Sequence, residues 1–534
     1  MFSSARPRFA WWSVGSLVLA GCGWFSDADP GLSKIAADPV PSGAKPDDWS
    51  HVPVPPANGP KLFPLAMVVP ARAKPETRAE VVGYLRIGAS VPRSAEPVTV
   101  RDCPGGWYAV RPVGFVCAGP EATLNAEHPL VRAVHTAPDR SRPMPYEYAF
   151  ARAIAPNYLR IPSAQEQRRY EMSLERHLRS YSKLHEQWDE LDVGANDVPL
   201  DAAGLAQGKI PEHARPMDQN RRYGGDGNDA VPWWLEGARR IPNLSSFKVP
   251  PYAAITNRVQ RHAGVALIGT FVGGEEAGKR RFAITTDARL IPADKLKADS
   301  GSPFHGASIE RIGLPVAFSR TVGARFYRFD GERFESAEEA PFREVVPLTG
   351  RSQMANQSRY VEAKNGMWLR SSESKIVVKP SSLPSWAKKG VPWIDISLLN
   401  QTLTLWRGAD PVYATLVSTG RDGTGEPGKT LSTPQGTFRI QQKHVTTTMD
   451  SAVADHEFEL RDVPWVMYFK GGYALHGAYW HDDFGRARSH GCVNLSPIDA
   501  RYVFENVSPG VPANWHASYA TDGTETGTLV NIHP

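Results

Sequence analysis

The stretch Val98–Cys117, VTVRDCPGGWYAVRPVGFVC, sets the tightest local limit on how this chain folds. Apolar and polar residues alternate on both sides of Pro104-Gly105-Gly106, which is the period of strands with one buried face broken by residues that turn a chain. Cys103 and Cys117 flank the turn and the second run, so a hairpin brings their sulfurs together. The same pattern returns in VVGYLRIGASV (81–91), in RFAITTDARLIPADKL (281–296) and in SRYVEAKNGMWLRSSESKIV (358–377). The last of these turns at Asn365-Gly366, a pair that accepts the positive φ of a tight hairpin. The expected fold is therefore multidomain and mainly β, with helical insertions.

At 534 residues, with 41% apolar and 22% charged, the chain is long enough for several cores and is neither disordered nor fibrous. Residues 22–61 are a Pro-rich linker that acts as a semi-rigid stalk. A β domain spans 62–120, a helical segment 140–211, a β-rich accessory region 250–390, and a final domain 393–534. Within the helical segment, Ser163 and Glu166 form a capping box, and Tyr170, Leu174, Tyr181, Leu184, Trp188 and Leu191 recur at helical spacing. This predicts one amphipathic helix over 163–191, packed on a neighbour. Strand spacing and the Gly-Trp-Tyr segment at 106–108 make the 62–120 unit resemble a bacterial SH3-like barrel.

A net charge of +5 is too dilute for a nucleic-acid binder, and no Lys/Arg run alternates with aromatics. The fifteen tryptophans serve core packing or polymer-binding platforms. At the amino terminus, Arg6 and Arg8 precede a short apolar run, Phe9 to Ala20, too short to span a bilayer comfortably. It ends in Leu19-Ala20-Gly21-Cys22, which resembles a bacterial lipobox. Residues 1–21 are thus read as a lipoprotein signal peptide and Cys22 as the lipidated residue, the other reading being an ordinary signal peptide. The implied location is the cell envelope or periplasm, anchored to a bacterial membrane by lipid. In that oxidising compartment a Cys103–Cys117 disulfide is expected, which leaves Cys492 as an unpaired thiol in need of a reason.

The final domain opens with WIDISLLNQTLTLWRGADPVYATLVSTG (393–420), two or three strands with turns, followed by STPQGTF (432–438). The segment HGAYWHDDFGRARSHGCVNL (476–495) then carries His476, Gly477, Ser489, His490, Gly491, Cys492 and Asn494. Directly after it, Ser496 is a helix cap with Pro497 at the first helical position. Polar and small neighbours set Cys492 apart from a buried core cysteine. Acyl transfer needs a nucleophile, a base and oxyanion donors, and this segment supplies all three. A free thiol ionises near pH 8.5, and a neighbouring imidazole makes the thiolate accessible at neutral pH.

On these motifs, residues 393–534 resemble the catalytic domain of L,D-transpeptidases, the YkuD-type cysteine enzymes of peptidoglycan cross-linking. The resemblance covers roughly the last quarter of the chain and implies a β-rich catalytic domain preceded by small β domains. It makes Cys492 the nucleophile and His476 its base, with the carbonyl of Gly477 orienting the ring. It makes His490 a shaper of the site, the amides of Gly491 and Cys492 the oxyanion donors, and Ser489 and Asn494 substrate-binding residues. Spacing alone leaves His490 as a second claimant to the base role, because residues two apart on a strand face one side. The implied partner is peptidoglycan, with no metal, cofactor or nucleotide. The implied reaction is attack by Cys492 on a tetrapeptide stem, release of D-alanine and transfer of the acyl group to a second stem as a 3→3 cross-link. Water as acceptor makes the protein an L,D-carboxypeptidase. Two other readings compete: a metal site from His476, His481, His490 and Cys492, and a catalytically inactive wall-binding lipoprotein.

The lipobox reading predicts that Cys22→Ala blocks processing. Cleavage of the variant at the same bond, with release of a soluble protein, identifies an ordinary signal peptide instead.

Overall fold

The computed structural model describes residues 49–534 except 135–136, 189, 245–248, 389, 452–457 and 522–523. The signal segment 1–21, Cys22 and linker residues 22–48 lie outside the described residues. Strands dominate the remainder, arranged in sheets of three, six, seven and sixteen strands.

The final domain is built on two of these sheets. Pro392–Ser397, Thr402–Arg407 and Asp410–Leu416 form an antiparallel meander, and Leu529–His533 returns to lie parallel to the first of them. Thr402–Arg407 is buried at every position but its last, as expected of a central strand carrying Leu403, Leu405 and Trp406. The second sheet rests on a long hairpin, Gln442–Ser451 with Phe458–Lys470, whose second strand passes the chain to Tyr473–Gly477. Helix Pro497–Glu505 closes the core through Ala500, Val503 and Phe504. Its cap forms as read from the sequence, with Ser496 Oγ accepting from the Asp499 amide at 3.1 Å.

The 62–120 unit does not stand apart from this domain. Its strand Val81–Leu85 pairs with Ala517–Tyr519, which in turn pairs with Gln442–Ser451. Leu62, Val69 and Val82 share one apolar core with Ile394, Trp465 and Trp515. Gly83 permits the junction, since a Cβ there would lie 2.3 Å from the Ala517 carbonyl oxygen. Cys103 and Cys117 are disulfide-bonded with their Cα atoms 5.9 Å apart, beside the hairpin Trp107–Ala109 with Phe115–Cys117.

Three expectations need correction. The segment 140–211 opens not as helix but as strands Glu147–Ala151 and Ala155–Tyr158, which pair with strands of the 250–300 region. The single helix over 163–191 is two, Ala164–Tyr170 and Leu174–Trp188. The capping box forms, but the chain breaks where Glu171 turns inward: its carboxylate accepts from Arg280 at 2.7 and 2.9 Å and from Tyr158 at 2.9 Å. An ionised carboxylate with buried partners outweighs the propensity of one helical turn. The accessory region 250–390 also divides, since Ile255–Asp299 joins the strands at 147–158 whereas Val316–Val377 forms the seven-stranded sheet. In that sheet, strands Ser358–Ala363 and Trp368–Arg370 pair across the Asn365-Gly366 turn, with Gly366 at φ +82°.

The units meet on one carboxylate. Asp462, buried in strand Phe458–Lys470, forms a two-point ion pair with Arg86 of the 62–120 unit. It also accepts from Thr446 at 2.6 Å and from Thr286 of the accessory strands at 2.5 Å. The backbone carbonyl of Asp462 takes the Tyr148 hydroxyl at 2.8 Å. Burial opposes charge on Asp462, but Arg86 and the two hydroxyls hold its carboxyl well below the usual carboxylate range.

Removing one partner of a buried ion pair leaves an uncompensated charge, so Arg86→Met is expected to destabilise the protein by about 3–5 kcal/mol. Adding Asp462→Asn to that variant recovers part of the loss. Denaturant unfolding of both variants checks this, and a wild-type midpoint for Arg86→Met contradicts it.

Candidate active site

Two short parallel strands bring the reactive residues together. Tyr473–Gly477 pairs with Val493–Leu495 in the register Leu475 to Val493, His476 to Asn494 and Gly477 to Leu495. Cys492 immediately precedes the second strand and shares a face with Asn494, and hence with His476 across the ladder. All three line one cleft of about 580 Å³. Cys492 itself is only 2% exposed, and its Sγ lies 3.8 Å from the Gly472 carbonyl oxygen.

The turn that delivers Cys492 depends on Gly491. Its φ is +127°, and a Cβ there would lie 2.6 Å from Tyr473 Cε1, so backbone strain and the aromatic wall both exclude a side chain. Ser489 fastens the same turn, its Oγ donating to the Cys492 carbonyl at 2.5 Å and accepting from the Gly491 amide at 3.0 Å. These contacts correct one expectation: the Gly491 amide, expected at the oxyanion, is engaged by Ser489. Ser489 braces the loop and also lines the cleft. The Gly491 carbonyl is fixed from the other side by Thr433 Oγ1 at 2.8 Å.

His476 is buried, with Nδ1 3.5 Å from the Gly477 carbonyl oxygen, the partner expected to orient the ring. Its ring centroid lies 5.6 Å from that of Trp480. Burial lowers its pKa to about 4; the Gly477 carbonyl works against the shift and His481 adds to it. The imidazole is thus neutral at pH 7 and able to accept a proton. His490 lines the cleft too, its ring 5.3 Å from that of Phe458.

His481, considered in the sequence only as a metal ligand, has a positioning task. Nδ1 accepts from the Asp483 backbone amide at 3.2 Å and Nε2 lies 2.9 Å from Asn494 Nδ2. Asn494 is therefore held by His481 where it lines the cleft. Burial is the main cause of the His481 pKa falling to about 4, with Arg488 assisting. Among the described residues no group of three His, Cys, Asp or Glu side chains gathers with metal-ligating geometry.

The loop between the two histidines and the cysteine is anchored by the accessory units. Arg343 of the seven-stranded sheet forms a two-point ion pair with Asp482 at 2.5 and 2.9 Å, and Phe304 stacks on Phe484 at 5.6 Å. From the other side Tyr148 and Phe150 pack on Tyr479, whose ring meets that of Trp480 at 5.2 Å. Phe150 and His262 join Met449, Phe458 and Leu460 in lining the cleft. Sequence reasoning missed Tyr148, Phe150, His262, Phe304 and Arg343 because each belongs to a segment remote from the motif; the alternation Tyr146, Tyr148, Phe150 was the available signal for a strand there.

Residues 391–532 match the YkuD family of L,D-transpeptidase catalytic domains. The Bacillus subtilis (strain 168) protein YciB, assigned by name to the L,D-transpeptidases, is 26% identical over 157 residues, covering 24% of this chain and 68% of that protein. An L,D-transpeptidase from Xylanimonas cellulosilytica aligns at 23% identity over 29% of this chain and 64% of its own, with a TM-score of 0.20. The catalytic domain of an Enterococcus faecium L,D-transpeptidase aligns at 21% identity over 27% of this chain and 98% of its own, with a TM-score of 0.21.

The buried neutral imidazoles make stability depend on pH. Their folded pKa values lie below the unfolded value of about 6.5, so their stabilising contribution is complete above that pH. It is lost as pH falls toward 4, while the unfolded chain takes up protons that the folded chain refuses. Each contributes a slope of up to about 1.4 kcal/mol per pH unit in that window. Thermal unfolding is expected at lower temperature at pH 5 than at pH 7, with a shallower dependence in His476→Gln. An unchanged slope in that variant contradicts the burial argument.

Proposed function

We propose, from the premise that residues 391–532 form a YkuD L,D-transpeptidase catalytic domain, that the protein is a cysteine acyltransferase acting on peptidoglycan stem peptides. The observation that carries this reading is the placement of Cys492 and a neutral His476 on one face of neighbouring strands, opening into one cleft. With Nδ1–H directed to the Gly477 carbonyl, Nε2 is the imidazole atom that accepts the thiol proton. The thiolate attacks the carbonyl at the L-centre of the diamino acid in a tetrapeptide stem, forming a C–S bond and an oxyanion. The Cys492 amide is the remaining donor for that charge, since the Gly491 amide is held by Ser489. Collapse breaks the C–N bond to D-alanine, whose amine takes the proton back from His476, and leaves a thioester.

A side-chain amine of a second stem then displaces the thiolate and completes a 3→3 cross-link, while water in its place gives L,D-carboxypeptidase activity. The intact Cys492 and His476 speak against an inactive wall-binding role. Leu19-Ala20-Gly21-Cys22 supports a lipid-anchored position in the cell envelope, where the stems are accessible.

Cys492→Ala is expected to abolish acyl-enzyme formation and cross-linking without unfolding the protein, and turnover near wild type sinks the assignment. Alkylation of Cys492 followed against pH separates the histidines: the half-maximal pH rises in His476→Ala and stays nearly unchanged in His490→Ala, which loses turnover only. The reverse pattern transfers the base role to His490.

A further inference from the structure

A second groove, of about 910 Å³, lies at the break between helices Ala164–Tyr170 and Leu174–Trp188, remote in sequence from the catalytic motif. Arg168, Arg169, Arg176 and Arg258 line it. With Lys295 and the single carboxylate Glu171 also in the lining, the groove carries a net positive charge. Behind the groove, Lys295 and Arg280 are satisfied by Glu171, which lies 3.2 Å from the one and 2.7 Å from the other. At the rim the balance differs. Arg168 alone faces a carboxylate, the exposed Glu175 at 3.2 Å. Arg176 reaches Ser173 Oγ at 3.2 Å, Arg258 the Tyr170 carbonyl at 3.4 Å, and Arg169 lies 5.7 Å from the Tyr170 ring. These three guanidinium groups form no ion pair with described residues, and each retains donors for an external anion.

The groove carries a second, independent feature. Met172 is 86% exposed and Ile154 is 47% exposed, and both line the same opening. Arginine forks suit phosphate geometry, and apolar tips beside basic residues add to the attraction when the anion belongs to a lipid surface. A soluble anionic polymer rewards the arginines but gives no return for exposing Met172 and Ile154.

We propose that this groove docks the protein onto a bilayer by binding anionic phospholipid headgroups, with Met172 and Ile154 entering the interface between headgroups and acyl chains. The contact holds the accessory strands at 147–158 and 255–299 at the membrane surface, independently of the chemistry at Cys492.

Hydrogen exchange of the full chain is compared on vesicles of phosphatidylcholine alone and of phosphatidylcholine with phosphatidylglycerol. The two differ in headgroup charge, so a difference between them reports a charge-dependent contact, and the position of the protected amides locates it. Amides of residues 164–180 and 255–260 are expected to be protected on the phosphatidylglycerol vesicles only. Arg169→Gln, Arg176→Gln and Arg258→Gln each lower the phosphatidylglycerol-dependent partitioning roughly fivefold, and Met172→Ser with Ile154→Ser lowers it further without altering net charge. Equal protection on both vesicles overturns the proposal. So does full competition by soluble polyphosphate combined with no effect of the Met172 and Ile154 substitutions, which assigns the groove to a soluble anion.

Discussion

The buried carboxylate of Asp462 is the point on which the assembly depends. An ionised carboxylate in a protein interior costs several kcal/mol unless its lone pairs are occupied. Here Arg86 of the 62–120 unit, Thr446 of the final domain and Thr286 of the accessory strands occupy them. Three stretches of chain remote in sequence must be in place before the charge is compensated, so their relative positions are coupled. Asp462 sits at a break in the regular strand, with φ +51°. The same strand contributes Phe458 and Leu460 to the cleft at Cys492 and pairs with the strand bearing His476. Assembly of the units and shaping of the cleft thus share one element.

The site shows the same economy. Cys492 is delivered by a turn that Gly491 alone can make and that Ser489 and Thr433 hold closed. His476 is kept neutral by burial and packs beside Trp480, which is supported through Tyr479 by the accessory aromatics Tyr148 and Phe150. Arg343 secures the intervening loop from the opposite side. Units outside the domain therefore fix side chains that touch the histidine and the loop, and Phe150 and His262 add to the wall of the cleft itself.

How far the sequence discloses this follows from where each interaction lies along the chain. That Cys492, His476 and Gly477 lie together was legible because they are compressed into one short segment, whereas the burial of Cys492 against Met449, Val463 and Val466 was not, since its polar and small neighbours in sequence conceal it. The Ser496 cap and the Cys103–Cys117 hairpin were legible because capping and turn formation are local. The tasks of Ser489, His481 and Asn494 were not, since a serine or histidine beside a nucleophile reads equally as ligand, brace or substrate contact until its partner is placed. The helix break at Glu171 depends on Arg280, more than a hundred residues away, which no periodicity reports. Strands 147–151 and 155–158 were overlooked because the helical spacing that follows them is the stronger signal.

The central claim is that Cys492 carries the acyl group during turnover. Intact-mass measurement of the full chain, quenched in acid during reaction with a tetrapeptide stem, tests it most directly. The account predicts a protein species heavier by the stem less D-alanine, mapped by peptide digestion to the segment containing Cys492 and removed by hydroxylamine. Turnover with no covalent species at any quench time, or an adduct mapped to another residue, contradicts it.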